Sequence, residues 1–285
     1  MKQYYPNIGL GKLCRLFGYS RQAYYDYLNL SSERSMQEAL ALDMVKEIRK
    51  LMPRIGSFKL HHMLTEPLKE HRMHIGRDRF CALLRENDML VKPKKRHYVR
   101  TTDSNHHFKK WPDLTVGLKA TAPHQLWVSD ITYLRTKNGF LYLSLTTDAF
   151  SRKIIGYHLS HTLSAKGCIS ALSKAIAQLP AGSAVTHHSD RGIQYCCEPY
   201  VALLQNNGIA ISMTQNGSPY ENPVAERVNG ILKTELDLDD TFDNYALALN
   251  AVITRIDTYN RIRPHLSLAK ATPHKIHSTF SPESL

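Results

Sequence analysis

Two textures divide the chain. Up to about residue 90, apolar positions recur at helical spacing; from about residue 124 they run in short β-branched and aromatic stretches. In GLGKLCRLFGYSRQAYYDYL (9–28), Leu10, Leu13, Leu16 and Phe17 line one face. Gly18 marks a turn, and Ser20 is placed to cap a second helix carrying Arg21, Tyr24, Tyr25 and Leu28. Two short helices joined by a Gly-containing turn form a helix-turn-helix pattern, whose second helix offers Arg21 and Gln22 at the end that meets bases. Any small helical hairpin shares the pattern. Met36, Leu40, Met44, Ile48 and Leu51 stripe an amphipathic helix over 35–52. A second helical pair is predicted at 57–70 (Phe58, Leu60, Leu64, Leu68) and 76–90 (Phe80, Leu83, Leu84, Leu90). Arg77, Arg79 and Arg85 decorate the latter, either as a DNA-reading face or as a solvated one.

In the second texture, QLWVSDITYL (125–134), FLYLSLTTDAF (140–150) and KIIGYHLS (153–160) read as strands. Turn signals at 137–139 and 151–152 separate them and predict a three-stranded antiparallel meander. A helix over 164–178, a short strand over 184–187, a helix over 198–207 and a strand over 209–214 follow. Two more helices are predicted over 223–236 and 243–260. This is an α/β chain with a mixed sheet, in the order of the ribonuclease-H-like fold, and order alone does not specify activity.

Composition narrows the class. The 285 residues are 42% hydrophobic and 22% charged, which excludes collagen-like and wholly disordered chains. No apolar run reaches the roughly 18 residues of a membrane span, and no signal-peptide core is visible. The five scattered cysteines show no Cys-x-x-Cys pair, which argues against a disulfide framework and the common zinc sites and fits the cytoplasm. The net charge is +12, and it is lopsided: residues 1–120 carry 23 basic and 12 acidic side chains, residues 121–285 carry 14 and 13. The front of the chain is therefore expected to meet a polyanion. The stretch 91–115, with Lys92, Lys94, Lys95, Arg96 and Arg100, reads as an extended basic linker able to track phosphates, or as a tether kept soluble by charge.

Three acids sit where a structural role explains them poorly. Asp130 interrupts the apolar run Leu126–Ile131, where a charge is costly unless it faces a cleft or a cation. Asp190 lies in HHSDRGIQY at a strand end, and Glu226 in the first turns of a helix that Asn222 is placed to cap and Pro223 to start. Glu226 and Lys233 share a helical face. Singly, each acid has a mundane reading; jointly, two Asp and one Glu suit divalent ions that keep positions for water and phosphate.

The spacing carries a resemblance. Asp130 precedes Asp190 by 60, 35 residues separate Asp190 from Glu226, and Lys233 follows by seven. With LWVSDITYL, TTDAFSRKIIGYHLS, HHSDRGIQY, SMTQNGSPYENPVAERVNGILKTEL and YNRIRPHLSLAKATP, the chain resembles the second-reading-frame transposases of the insertion-sequence-three family, whose core is like that of retroviral integrases. The likeness covers 120–275 and, more weakly, CRLFGYSRQAYY and the helical pair at 57–90. A Tyr-Gly-Tyr-Arg-Arg type motif is reduced here to the stretch Arg54–Lys59, and Pro223 replaces a commonly small residue.

The resemblance implies a helix-turn-helix-like segment over 1–30, a helical DNA-binding region over 31–90, a basic linker over 91–120 and a ribonuclease-H-like catalytic core over 121–280. It implies that Asp130, Asp190 and Glu226 are catalytic and hold two Mg²⁺ (or Mn²⁺) ions for cleavage and strand transfer at the ends of an insertion element. Lys233 would contact a phosphate, and His188, Arg191, Gln194, Asn222 and Asn229 would line the site or place DNA; a structural role for His188 stands beside that reading. Arg261 and Arg263 either touch DNA or belong to a segment that packs on the core. DNA, further copies of the chain and an upstream-frame protein are the implied partners. Two rivals stay open: a purely hydrolytic nuclease of the same fold, and a DNA-binding modulator with a silent core. Lys233 and the basic front part weigh against the first, and the complete set of acids against the second.

Overall fold

The structure, a computed structural model, describes residues 4–92, 106–215 and 221–280. Lys94, Lys95, Arg96 and Arg100 lie outside them. The chain forms two compact units: residues 1–50 with 56–91, and residues 51–55 with 92–285.

The first unit is helical: α1 (Leu10–Leu16), α2 (Arg21–Leu51, whose last residue belongs to the second unit), α3 (Ser57–Glu70) and α4 (Arg77–Glu86). Ser20 caps α2 as expected, its Oγ accepting from the Ala23 amide at 3.0 Å. The second helix of the expected hairpin, however, does not stop near Leu28. It runs unbroken for 31 residues and absorbs the helix expected over 35–52. Residues 29–35 hold no Gly or Pro, and Asn and Ser there weaken a helix without breaking it. Residues 1–30 are accordingly no separate body. The buried positions of α2 are Ala41 and Val45, one residue on from the expected Leu40 and Met44, and Met36 is 74% exposed. In α3 and α4, Leu60, Leu64, Leu68, Phe80, Leu83 and Leu84 are buried as their spacing requires. Helix α4 ends at Glu86, short of Leu90, because the chain turns left-handed at Asp88 (φ 55°) and Met89 N–H returns to Leu84 O.

The second unit is built on a mixed sheet of strands β1 (Leu126–Thr136), β2 (Gly139–Asp148), β3 (Ile154–Ser160), β4 (Thr186–Ser189) and β5 (Ala210–Met213), in the order β3-β2-β1-β4-β5. The meander β1–β3 is antiparallel, β4 and β5 run parallel to β1, and the two-residue β6 (Thr241–Phe242) pairs with the far end of β1. This is the ribonuclease-H-like sheet. Alternation along β1 sends Trp127 and Ile131 into the core shared with Leu172 of α5 (Ala165–Ile176) and Leu204 of α7 (Glu198–Asn206). Val128 points the other way and packs with Ala225 of α8 (Pro223–Thr234). Helix α5 lies so close to β3 that a Cβ on Gly156 would come within 2.1 Å of Ala171 O. A short helix α6 (Ile193–Cys196) precedes α7; at the C-terminal end α9 (Tyr245–Asp257) runs into a π-helical turn (Thr258–Ile262) and then α10 (Pro273–Thr279).

The described part of the expected linker is not a tether. Phe108 and Trp111 pack against the main core, Pro112 O accepts from Met213 N–H, and Leu114 N–H donates to Ser212 Oγ at 2.8 Å. Two aromatics supply burial that a phosphate-tracking strand lacks. This stretch borders β5.

Candidate active site

Strand pairing brings the two aspartates level. In the parallel register of β1 and β4, Val128 stands beside His188; two residues further on the same count reaches Asp130 and Asp190. Asp190 directly follows β4, which extends two residues beyond the expected strand end. Its Oδ1 accepts from Gly192 N–H at 3.0 Å, and Gly leaves room there, since a Cβ would sit 3.0 Å from both that oxygen and Gln194 Oε1.

Asp130 lies on the face of β1 that α8 covers. Oδ1 accepts from the Ile131 amide at 2.8 Å and Oδ2 from Asn229 Nδ2 at 2.7 Å. Those bonds favour its charged form, but they lose: burial first, then the negative charge of Asp190 and, more weakly, of Glu226, push the carboxyl up to about 7. The third acid, Glu226, is exposed in the first turn of α8, where the helix end favours an anion.

Helix α8 is pinned to β1 by asparagines at both ends of this contact. Asn222 occupies the cap position, yet its side chain does not cap; Nδ2 donates to Ser129 O at 3.1 Å. Asn222 and Asn229 are both 8% exposed, and their amide groups are engaged by the strand and the carboxylate. Lys233, on the face of α8 shared with Glu226, places its ammonium 3.7 Å from the Tyr133 ring centroid. Burial lowers its pKa, opposed by the charges of Asp239 and Asp130.

Other expected site residues are occupied elsewhere. His188 is buried, with Nδ1 2.9 Å from Ser212 Oγ and Nε2 3.0 Å from Glu221 O, which is the structural reading. Gln194 is buried and donates to Leu163 O. Arg191 reaches Gln215 Oε1 at 2.6 Å. Of the tail arginines, Arg261 pairs with exposed Asp257, while Arg263 is 1% exposed and grips both Glu235 oxygens at 2.9 Å, so it packs rather than touching DNA. In the helical unit, Arg79 is held by Glu38 (2.7 Å) and Glu86 (2.8 Å) in an ion-pair network. Arg77 is bonded to Asp78; Gln22 is bonded to Asp26; Arg21 and Lys92 are exposed. The resemblance singled out Asn222 and Asn229 around Glu226 and Arg263 in the tail, but not their partners. What they bind is set by the fold.

The three carboxylates fit a hard divalent cation by chemistry: all donors are oxygen, and burial, reinforced by the charges of the other two, is what raises Asp130. They do not form a finished cage, for among the described residues no group of three or more His, Cys, Asp or Glu is close enough to hold a metal. Mg²⁺ needs no such cage, because it keeps several waters and takes phosphate oxygens as ligands. No helix among the described residues is long and apolar enough to cross a membrane.

Residues 120–219 and 207–273 match two family models, each described as an integrase core domain. The uncharacterized 31 kDa protein of insertion element IS600 from Shigella sonnei is 32% identical over 265 residues, covering 92% of this chain and 96% of that protein. Transposase InsF for insertion sequence IS3A of Escherichia coli K12 is 36% identical over 147 residues, about half of either chain (51% of each). Among solved structures, the HTLV-2 integrase catalytic core domain in complex with magnesium aligns at 23% identity with a TM-score of 0.46, over 56% of this chain and 99% of that one. With its carboxylates, its sheet order and a near full-length relative in agreement, the chain belongs to the transposases of the insertion-sequence-three family, polynucleotidyl-transferring enzymes with an integrase core domain.

Proposed function

We propose that this transposase cleaves DNA at the ends of the insertion element that encodes it and joins the freed 3′ hydroxyls to target DNA, each attack forming one phosphodiester as a target phosphodiester breaks and its 3′ oxygen leaves, using Asp130, Asp190 and Glu226. The observation that carries the reading is Asp130 itself. It is a carboxylate on an inner strand, close to a second one at the end of the neighbouring strand and covered by the helix that bears a third, and burial together with the charges of both raises it to about 7. Carboxylates perturbed in this way gather at functional sites.

Asp130, Asp190 and Glu226 would hold the divalent ions, most simply Mg²⁺, whose charge when bound activates the attacking hydroxyl and stabilises the leaving 3′ oxygen. The rest belongs to the chain. The Ile131 amide and Asn229 aim the Asp130 carboxylate, and the Gly192 amide aims Asp190. Lys233 presents a cation on the same helical face as Glu226, suited to a phosphate beside the cut. The attacking group is first water and then the freed 3′ hydroxyl, so no side chain becomes covalently bound to DNA. The helical unit, with Arg21 and Gln22 at the start of α2 and Arg77 at the start of α4, is the candidate for holding the element end; Lys92, Lys94, Lys95, Arg96 and Arg100 are the candidates for further phosphate contacts. Two ends must be joined, so two or more copies act together.

Labelled DNA carrying one end of the element, incubated with Mg²⁺ and supercoiled target, tests the reading. Wild-type chain, alone or fused to an upstream-frame protein, yields a nick at the end and a joined product. Asp190→Asn yields neither while still retarding the DNA. Cutting by the variant at the wild-type rate sinks the assignment, and cutting without joining returns the hydrolytic nuclease.

A further inference from the structure

The chain passes from the helical unit into the catalytic unit at 50/51, returns at 55/56, and crosses finally at 91/92. Residues 51–55, the last residue of α2 and most of its connection to α3, are therefore a short piece of the catalytic unit. They are firmly held there. Leu51 O accepts from Arg255 Nη1 at 2.7 Å, and Met52 and Ile55 are fully buried. Arg54 is the centre of the arrangement. Its amide donates to Glu235 O at 3.1 Å, its Nε lies 4.0 Å from Asp237 Oδ1, and its Nη2 donates to Lys92 O. One side chain thus joins the inserted segment to the last crossing point and to the residues that end α8.

The end of α8 matters because of what the helix carries. Glu235 follows it immediately, and its carboxylate is clamped by the buried Arg263. Twelve residues of helix make a rod of about 18 Å, with Lys233 near the clamped end and Glu226 near the other. A shift or rotation at Glu235 moves both. Misplacing a reacting group by about 1 Å costs on the order of 100-fold in rate.

We infer that Arg54 is a positioning residue that couples DNA held by the helical unit to the setting of α8, and through it to Glu226 and Lys233. The inference rests on the function proposed above. No contact between Arg54 and DNA is needed, since the covalent chain enters and leaves the helical unit at the points that Arg54 ties down.

The test compares two substrates with the full-length chain: DNA with the complete element end, and a short duplex with only the terminal base pairs, which engages the core alone. Arg54 is partly exposed, and Arg54→Ala removes the guanidinium while leaving the amide bond to Glu235; a melting temperature close to that of wild type checks that the variant folds. On the complete end, Arg54→Ala cleaves at least about 10-fold more slowly, with binding measured by fluorescence anisotropy within twofold of wild type. On the short duplex the two proteins cleave at one common, slower rate. Arg54→Lys, which keeps the charge but not the fork, falls between them on the complete end. Equal losses on both substrates assign Arg54 a merely structural role and overturn the coupling, as does wild-type behaviour on the complete end. If wild type cleaves neither substrate, the proposed function fails first and the coupling with it.

Discussion

Asn229 donates to Asp130 at 2.7 Å, from the same helix that carries Glu226 one turn earlier. The third acid and the support of the first are therefore one rigid piece. The bond also opposes the rise in the pKa of Asp130, since it favours the ionised form.

Removing that donor lets burial and the neighbouring acids act unopposed. In chelator, Asn229→Ala moves the pH at which the Asp130 carboxyl loses its proton further upward, read by NMR titration of that carboxyl. A titration that does not move separates Asn229 from the ionisation of Asp130.

The raised carboxyl also predicts how the metal-free protein unfolds. A folded-state value of about 7 against an ordinary 3.8 means that the contribution of Asp130 is fully present below the ordinary value and lost as pH rises through 7. Asp130→Asn removes the loss. In chelator at pH 8 the variant melts higher than wild type, by about 2–6 °C, and near pH 4 the two converge. An equal gain at both pH values contradicts the ionisation. Mg²⁺ at pH 8 raises the melting temperature of wild type and not that of the variant.

Lys233 sits over Tyr133, 3.7 Å from the ring centroid, and its charge is costly to hold there. Lys233→Gln lowers end cleavage by about 10- to 100-fold, as loss of a preorganised charge beside a reacting phosphate does, and shifts stability by less than about 1 kcal/mol. Urea unfolding and single-turnover cleavage measure the two quantities independently. A fall in stability large enough to explain the lost activity reassigns the lysine to packing.

Gly156 tests the fold away from the chemistry. A methyl group at this position meets the Ala171 carbonyl at 2.1 Å, and backbone on both sides must move. Gly156→Ala is expected to cost roughly 1–3 kcal/mol in denaturant unfolding, and the spacing of α5 on the sheet would be wrong if it cost nothing.

By itself the sequence determined the strands, the meander and the three acids. Strand geometry puts Trp127 and Ile131 on one face of Leu126–Thr136 and Val128 and Asp130 on the other, both faces being covered, and a charge inside such a run announces a site. The Asn222-Pro223 pair likewise marks where α8 starts. These are local signals, written within a few residues. Only the tertiary structure decided what the polar residues hold. Asn222 gave up capping for Ser129 O because β1 lies alongside; Arg79 turned to Glu38, 41 positions away; and Arg263 found Glu235 across 28. The helix from Arg21 ran on through weak formers, and the basic stretch after residue 105 folded onto β5 through Phe108 and Trp111. A hydrogen bond or ion pair takes whatever complementary group the fold brings within about 3 Å, and no spacing along a chain records which group that is.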